Sequence, residues 1–100
     1  MEWHKVAGRD ELVDGSTQTV DAGGVSVALT RLGDTYGALN DFCPHAGASL
    51  GCGIVEGGMI VCPWHGWAFD AITGECALSF EKAVTYPIEI RDDGIYIGIE

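Results

Sequence analysis

The sequence predicts an all-β domain, an antiparallel β sandwich or barrel with a small subdomain inserted into it. Three observations lead there. Apolar and polar residues alternate in several short runs, glycine-rich turn signals separate those runs, and no segment of ten or more residues keeps a helical stripe. One hundred residues suffice for a single domain, 1–100, with a real core and are too few for two.

In chain order, a minor helical turn is expected near Arg9 to Leu12, and alternation first appears in Thr17-Gln18-Thr19-Val20. Asp21-Ala22-Gly23-Gly24 signals a turn, Val25 to Leu32 a second strand, and Gly33-Asp34 another turn. Glu56-Gly57-Gly58 is a turn leading to strand-like Met59-Ile60-Val61, and Trp67-Ala68-Phe69-Asp70 reads as the next extended run. Ile88-Glu89-Ile90, the turn Asp92-Asp93-Gly94 and Ile95-Tyr96-Ile97-Gly98-Ile99 form a closing hairpin pattern. Residues from about 41 to 80 are expected to be the inserted subdomain, lying between strands of a larger β base.

The formal net charge is −10. Nucleic-acid binding is excluded as a role, because neutralising a phosphate backbone needs a basic face. Docking on an anionic membrane is disfavoured for the same reason. A strongly acidic surface keeps a small protein soluble, or steers it toward a basic face on a partner. No apolar run approaches the length of a membrane span. The start, MEWHKVAGRDEL, shows no apolar signal region and no twin arginine, so a cytoplasmic protein is expected. In a reducing compartment, cysteines clustered with histidines point to metal or catalysis before disulfides.

That cluster is CPHAGASLGCGIVEGGMIVCPWHGW, from Cys43 to Trp67. It holds a Cys-x-His, Cys43 and His45, and a Cys-x-x-His, Cys62 and His65, each with a proline directly after the cysteine. Two Cys and two His can close a tetrahedral zinc site, but the usual fingers pair like with like, whereas here each loop supplies one of each. A thiolate nucleophile beside a histidine is a second option, and it leaves the twin loop unexplained. Two matched loops suggest a symmetric object held between them.

Cys-x-His with Cys-x-x-His resembles the ligand pattern of Rieske-type ferredoxins, in which two cysteines hold one iron of a [2Fe-2S] cluster and two histidines the other. The resemblance runs along the whole chain. Gly66, Phe69-Asp70 and Thr73-Gly74 carry it past the second loop. It implies that Cys43 and Cys62 bind one iron and His45 and His65 the other, with one cluster per chain. With two neutral histidines the oxidised cluster and its ligands sum to zero charge, so an electron is accepted more easily than by an all-cysteine cluster.

High-potential members of this family carry an extra cysteine in each loop and a serine and a tyrosine whose hydroxyls reach cluster sulfurs. The corresponding positions here are Ala48, Trp64, Trp67 and Phe69. Without those donors the added electron is less stabilised, and a potential near the low end of the family, roughly −150 mV, is expected.

The resemblance implies a one-electron carrier, taking electrons from a flavoprotein reductase and delivering them to a terminal oxygenase such as an aromatic-ring hydroxylating dioxygenase. A monomer is expected. The alternative is a Rieske-type small subunit of an assimilatory nitrite reductase or another oxidoreductase complex. An oxygenase in its own right is excluded: after His45 and His65 only His4 remains, too few for a mononuclear iron site of two histidines and a carboxylate.

Of the residues outside the ligand set, Cys52 and Cys76 are expected to be buried inert thiols and His4 structural or surface. Trp64 and Trp67 pack in the core or shield the cluster. Pro44 and Pro63 fix φ in their loops, and Gly47, Gly51, Gly53 and Gly66 are expected to supply tight turns with positive φ.

Overall fold

The computed structural model describes residues 1–8, 10–42, 49–62, 67–77 and 82–100. Among these, nine strands follow in order: β1 Glu2–Ala7, β2 Thr17–Ala22, β3 Val25–Leu32, β4 Thr35–Asn40, β5 Ile54–Glu56, β6 Met59–Val61, β7 Ala68–Asp70, β8 Ile88–Arg91 and β9 Gly94–Ile99. The only helical piece among the described residues is a single 3-10 turn, Leu50–Cys52. The expected turn near Arg9 shows one bond, from the Glu11 N–H to the Gly8 carbonyl at 3.3 Å. Arg9 itself lies outside the described residues.

The strands form three antiparallel sheets, ordered β1-β9-β8, β2-β3-β4 and β5-β6-β7. The alternating runs fold as their pattern requires, and glycine marks each hairpin turn, as a pair at Gly23-Gly24 and Gly57-Gly58 and singly at Gly33 and Gly94. At the β5–β6 turn Gly57 and Gly58 have φ of 58° and 80°, which suits the twist of a two-residue hairpin and which only glycine adopts without strain. A register shift between Lys5 and Ala7 bulges β1 against β9.

Strand β3 departs from simple alternation. Val27 and Leu29 point into one core, with Ala7, Leu12, Ala22, Ala38, Ile95 and Ile97, between the two larger sheets. Ala28 points the other way, into a second core with Leu39, Leu50, Ile60, Cys62, Phe69, Ala71 and Ala83. The β2-β3-β4 sheet is therefore covered on both faces, and its central strand is apolar on both. Each large side chain so buried contributes about 1.5–3 kcal/mol.

The larger sheets are joined across β4. The Tyr86 N–H donates to the Ala38 carbonyl at 2.9 Å, and the Asn40 N–H to the Val84 carbonyl at 2.7 Å. This carries hydrogen bonding from β4 to the segment entering β8 and bends the sandwich toward a barrel. The small β5-β6-β7 sheet arises in the connection between β4 and β8, against the second core.

Candidate metal centre

The two Cys/His loops span 43–48 and 63–66, so Cys43, His45 and His65 lie outside the described residues, as do Ala48 and Trp64. Their feet are described. Cys62 is 1% exposed and forms no disulfide.

Strand β4 delivers the chain to the first loop, and two consecutive side chains fix its approach. The Asn40 side-chain oxygen accepts the Phe42 N–H at 2.9 Å, while its amide nitrogen donates to the Tyr86 hydroxyl at 2.9 Å. Asp41 is 8% exposed, and its carboxylate accepts from Ser49 and Gly51 beyond the loop and from Thr19 on β2. Phe42 and Ser49 face each other as an antiparallel bridge, which closes the loop at its base. Leu50 then enters the second core.

The second loop closes more tightly. Strand β6 ends at Val61, and the Cys62 N–H donates to the Trp67 carbonyl at 2.7 Å, so 63–66 lies between the ends of β6 and β7. Trp67 is half-buried and packs on the same core as Cys62. After β7 the Asp70 Oδ1 accepts from the N–H groups of Ile72 and Thr73, both at 2.9 Å, and the Gly74 N–H donates to the Asp70 carbonyl at 2.8 Å. The Thr73 and Ile72 amides hold the Asp70 carboxyl below the ordinary aspartate value of 3.8, against the upward push of partial burial. This turn explains why Asp70, Thr73 and Gly74 belong together in the sequence.

The feet of the two loops meet. A Cβ on Gly53 would collide with the Val61 carbonyl oxygen, so only glycine lets the exit of the first loop lie against the strand that ends one residue before Cys62. Leu50 and Cys62 share the second core. Loops distant in sequence thus start from one packed base.

Two expectations are corrected. Gly51 and Gly53 do not have positive φ: Gly53 has φ −81°, and both are glycine because a side chain would strike Thr19 or Val61. Cys52 is exposed and Cys76 half-buried, so neither is the fully buried thiol expected, because the 3-10 turn and the loop after β7 run along the surface. Gly47 and Gly66 lie outside the described residues. His4 is part-exposed, with Nε2 3.6 Å from a Glu2 carboxylate oxygen. Sequence alone does not single out Asn40, Asp41, Ser49 and Thr19; an aspartate two residues before Cys43 is the one available signal.

A cluster bound through cysteine needs a thiol with no disulfide partner, shielded from water, on a backbone that cannot drift. Cys62 meets each requirement: it is buried, undisulfided and locked by its own amide. Trp67 is half-buried and Phe69 fully buried, and neither carries a hydroxyl. The described residues fit a [2Fe-2S] cluster.

Comparison with known proteins agrees. The profile of the Rieske [2Fe-2S] domain matches residues 2–87. The anthranilate 1,2-dioxygenase ferredoxin subunit of Burkholderia cepacia is 35% identical over 98% of this chain and 93% of its own. The ferredoxin of carbazole 1,9a-dioxygenase from Nocardioides aromaticivorans superposes with a TM-score of 0.92 at 29% identity, covering 100% of both chains. A solved complex of reduced oxygenase and oxidised ferredoxin in carbazole 1,9a-dioxygenase contains a chain that matches with a TM-score of 0.87 at 33% identity, over 95% of this chain and 91% of that one. With this match over nearly the whole sequence, the chain belongs to the family of Rieske [2Fe-2S] domains, carries one such cluster, and transfers electrons rather than transforming a substrate.

Proposed function

We propose that the chain carries single electrons from a flavoprotein reductase to a terminal oxygenase of the aromatic-ring hydroxylating class, as a monomer in the cytoplasm. The observation that carries this reading is the likeness to a dioxygenase ferredoxin subunit over nearly all of both chains. In this reading Cys43 and Cys62 hold one iron and His45 and His65 the other, within a cluster-bearing unit of about residues 41–80 in a single domain, 1–100. The cluster supplies a centre that accepts and releases one electron.

The chain's own residues set the terms of that exchange. The amide of Cys62, bonded to Trp67, fixes one sulfur against the core. Trp67 and Phe69 contribute apolar cover and no hydroxyl, which keeps the potential low and makes the reduced protein a strong donor. The net charge of −10 favours fast, salt-screened encounters with a basic docking face, as a shuttle between two partners requires. No helix among the described residues is long and apolar enough to cross a membrane.

The test is reconstitution of a three-component system: reductase and NADH, this chain with its cluster, and a terminal oxygenase with its aromatic substrate. Product formation should require this chain and slow as salt rises. A chain that supports no turnover, and instead elutes permanently bound to another oxidoreductase in gel filtration, would replace the carrier reading with that of a fixed subunit.

A further inference from the structure

Asp41 gathers more bonds than its place in a loop requires. Oδ1 accepts from the Gly51 N–H at 2.7 Å, the Ser49 hydroxyl at 3.0 Å and the Thr19 hydroxyl at 3.1 Å, and Oδ2 lies 2.8 Å from the Ser49 hydroxyl. The main chain of the same residue donates to the Ser26 carbonyl at 3.1 Å and accepts from the Leu50 N–H at 2.7 Å. One residue therefore grips the exit of the first Cys/His loop at three successive positions, 49, 50 and 51, and ties it to β2 and β3. The surroundings are shaped for this grip. A Cβ at Gly51 would run into Thr19, so a side chain there would push the loop exit off the carboxylate.

The grip is not needed to close the core. The side chain of Leu50 is fully buried in the second core, apart from the Asp41 carboxylate, and the Phe42–Ser49 bridge already pairs the two feet. What the carboxylate adds is a fixed position for the loop exit, Ser49 and Gly51, relative to Thr19 on β2. Bonds from hydroxyl and amide donors to a carboxylate are among the stronger ones a protein makes, and a group at 8% exposure shares them little with water.

We propose that Asp41 is a positioning residue of the electron-transfer centre: it fixes 49–51, the exit of the first Cys/His loop, on the β2–β3 sheet, and through that exit governs how firmly the cluster assigned to Cys43, His45, Cys62 and His65 is retained. This rests on the ligand assignment given under the proposed function. Thr19 and Ser49 serve with Asp41 as the two hydroxyl anchors, and Gly51 is the opening that admits them. Residues that orient metal ligands without touching the metal typically change retention by roughly tenfold or more when removed.

The experiment uses the cluster-loaded protein and three variants: Asp41→Ala, Asp41→Asn and Ser49→Ala, with the exposed Asp93→Asn as a control. Iron release to a chelator, the EPR spectrum of the reduced cluster and thermal unfolding are measured on each. Asp41→Ala is expected to release iron roughly tenfold faster than wild type and to broaden the EPR lines. Asp41→Asn, which keeps one acceptor oxygen, and Ser49→Ala, which removes one donor, should fall between; Asp93→Asn should match wild type. If Asp41→Ala does not fold, Ser49→Ala decides, since it deletes a single hydroxyl. Wild-type release rates and EPR lines in Ser49→Ala and in every Asp41 variant that folds, with or without a lower unfolding temperature, would overturn the proposal. A wild-type protein that takes up no iron would overturn the ligand assignment first, and this proposal with it.

Discussion

The Cys62 amide donates to the Trp67 carbonyl at 2.7 Å, tying together the two residues that flank 63–66, between the ends of β6 and β7. The bond fixes the backbone of one cysteine independently of any metal. At 1% exposure, Cys62 belongs to the second core.

Replacing Cys62 separates its two roles. Cys62→Ala should abolish cluster assembly, read as iron content and loss of the visible absorption of the cluster. The apoprotein should lose only about 1 kcal/mol, because the vacated volume is small and the amide bond to Trp67 survives. Cys52→Ala, at an exposed position, should keep the wild-type iron content.

Phe69 tests the argument about potential. It is fully buried, pairs with Ile60 across β6 and β7, and shares the core of Cys62. Phe69→Tyr introduces a hydroxyl at the base of the loops and should raise the midpoint potential, at a stability cost of about 1–3 kcal/mol for the extra atom in a packed core. Phe69→Ala should lower stability by about 3–5 kcal/mol, measured by denaturant unfolding.

Gly53 holds the exit of the first loop against the end of β6. Because a Cβ there meets the Val61 carbonyl, a backbone atom that cannot swing away, Gly53→Ala should cost roughly 1–3 kcal/mol. The same substitution should speed iron loss, since it drives the feet of the two loops apart. Gly15→Ala, with nothing near its Cβ position, is the comparison for strain from positive φ alone, at φ 77°.

Asp70 gives a pH dependence with a defined sign. Its folded-state pKa lies below the ordinary 3.8, with the Thr73 amide the largest cause and the Ile72 amide next. A depressed pKa means that the ionised form is favoured on folding, so the stabilisation is complete above about pH 3.8 and is lost as pH falls through the lower folded value. Asp70→Asn should therefore be less stable than wild type at pH 7, and the gap should shrink only in acid, below about pH 3.8, as followed by denaturant unfolding of the apoprotein.

Where the sequence alternated, the fold was readable. Thr17–Val20, Val25–Leu32, Met59–Val61 and Ile95–Ile99 all became strands, because a period of two with glycine turns leaves few alternatives. Strands β1, β4 and β5 were not read in advance. Glu2–Ala7 mixes charges and an aromatic without alternation, Thr35–Asn40 is interrupted by Gly37 and buried on both faces, and Ile54–Glu56 is three residues long. β1 takes its strand character from a partner far along the chain, β9, whereas β4 and β5 take theirs from the hairpins they form with β3 and β6.

The family was legible because the pairing of Cys-x-His with Cys-x-x-His is unusual, whereas the support at the feet of the loops was not. Asp41 bonds to groups 8, 10 and 22 residues away, and no local pattern marks such a convergence. Gly51 and Gly53 looked like turn glycines, but their reason is close contact with β2 and β6, which becomes visible only once the sheets are assembled.

The most direct test of the central claim, a histidine-ligated cluster of low potential carried by this chain, is the midpoint potential by voltammetry on anaerobically loaded protein. The account predicts a reversible one-electron wave near the low end of the Rieske range, at roughly −150 mV. A clearly positive potential would contradict the assignment of Trp67 and Phe69 as positions without donors. The absence of any wave, with zinc in place of iron, would contradict the electron-carrier account itself.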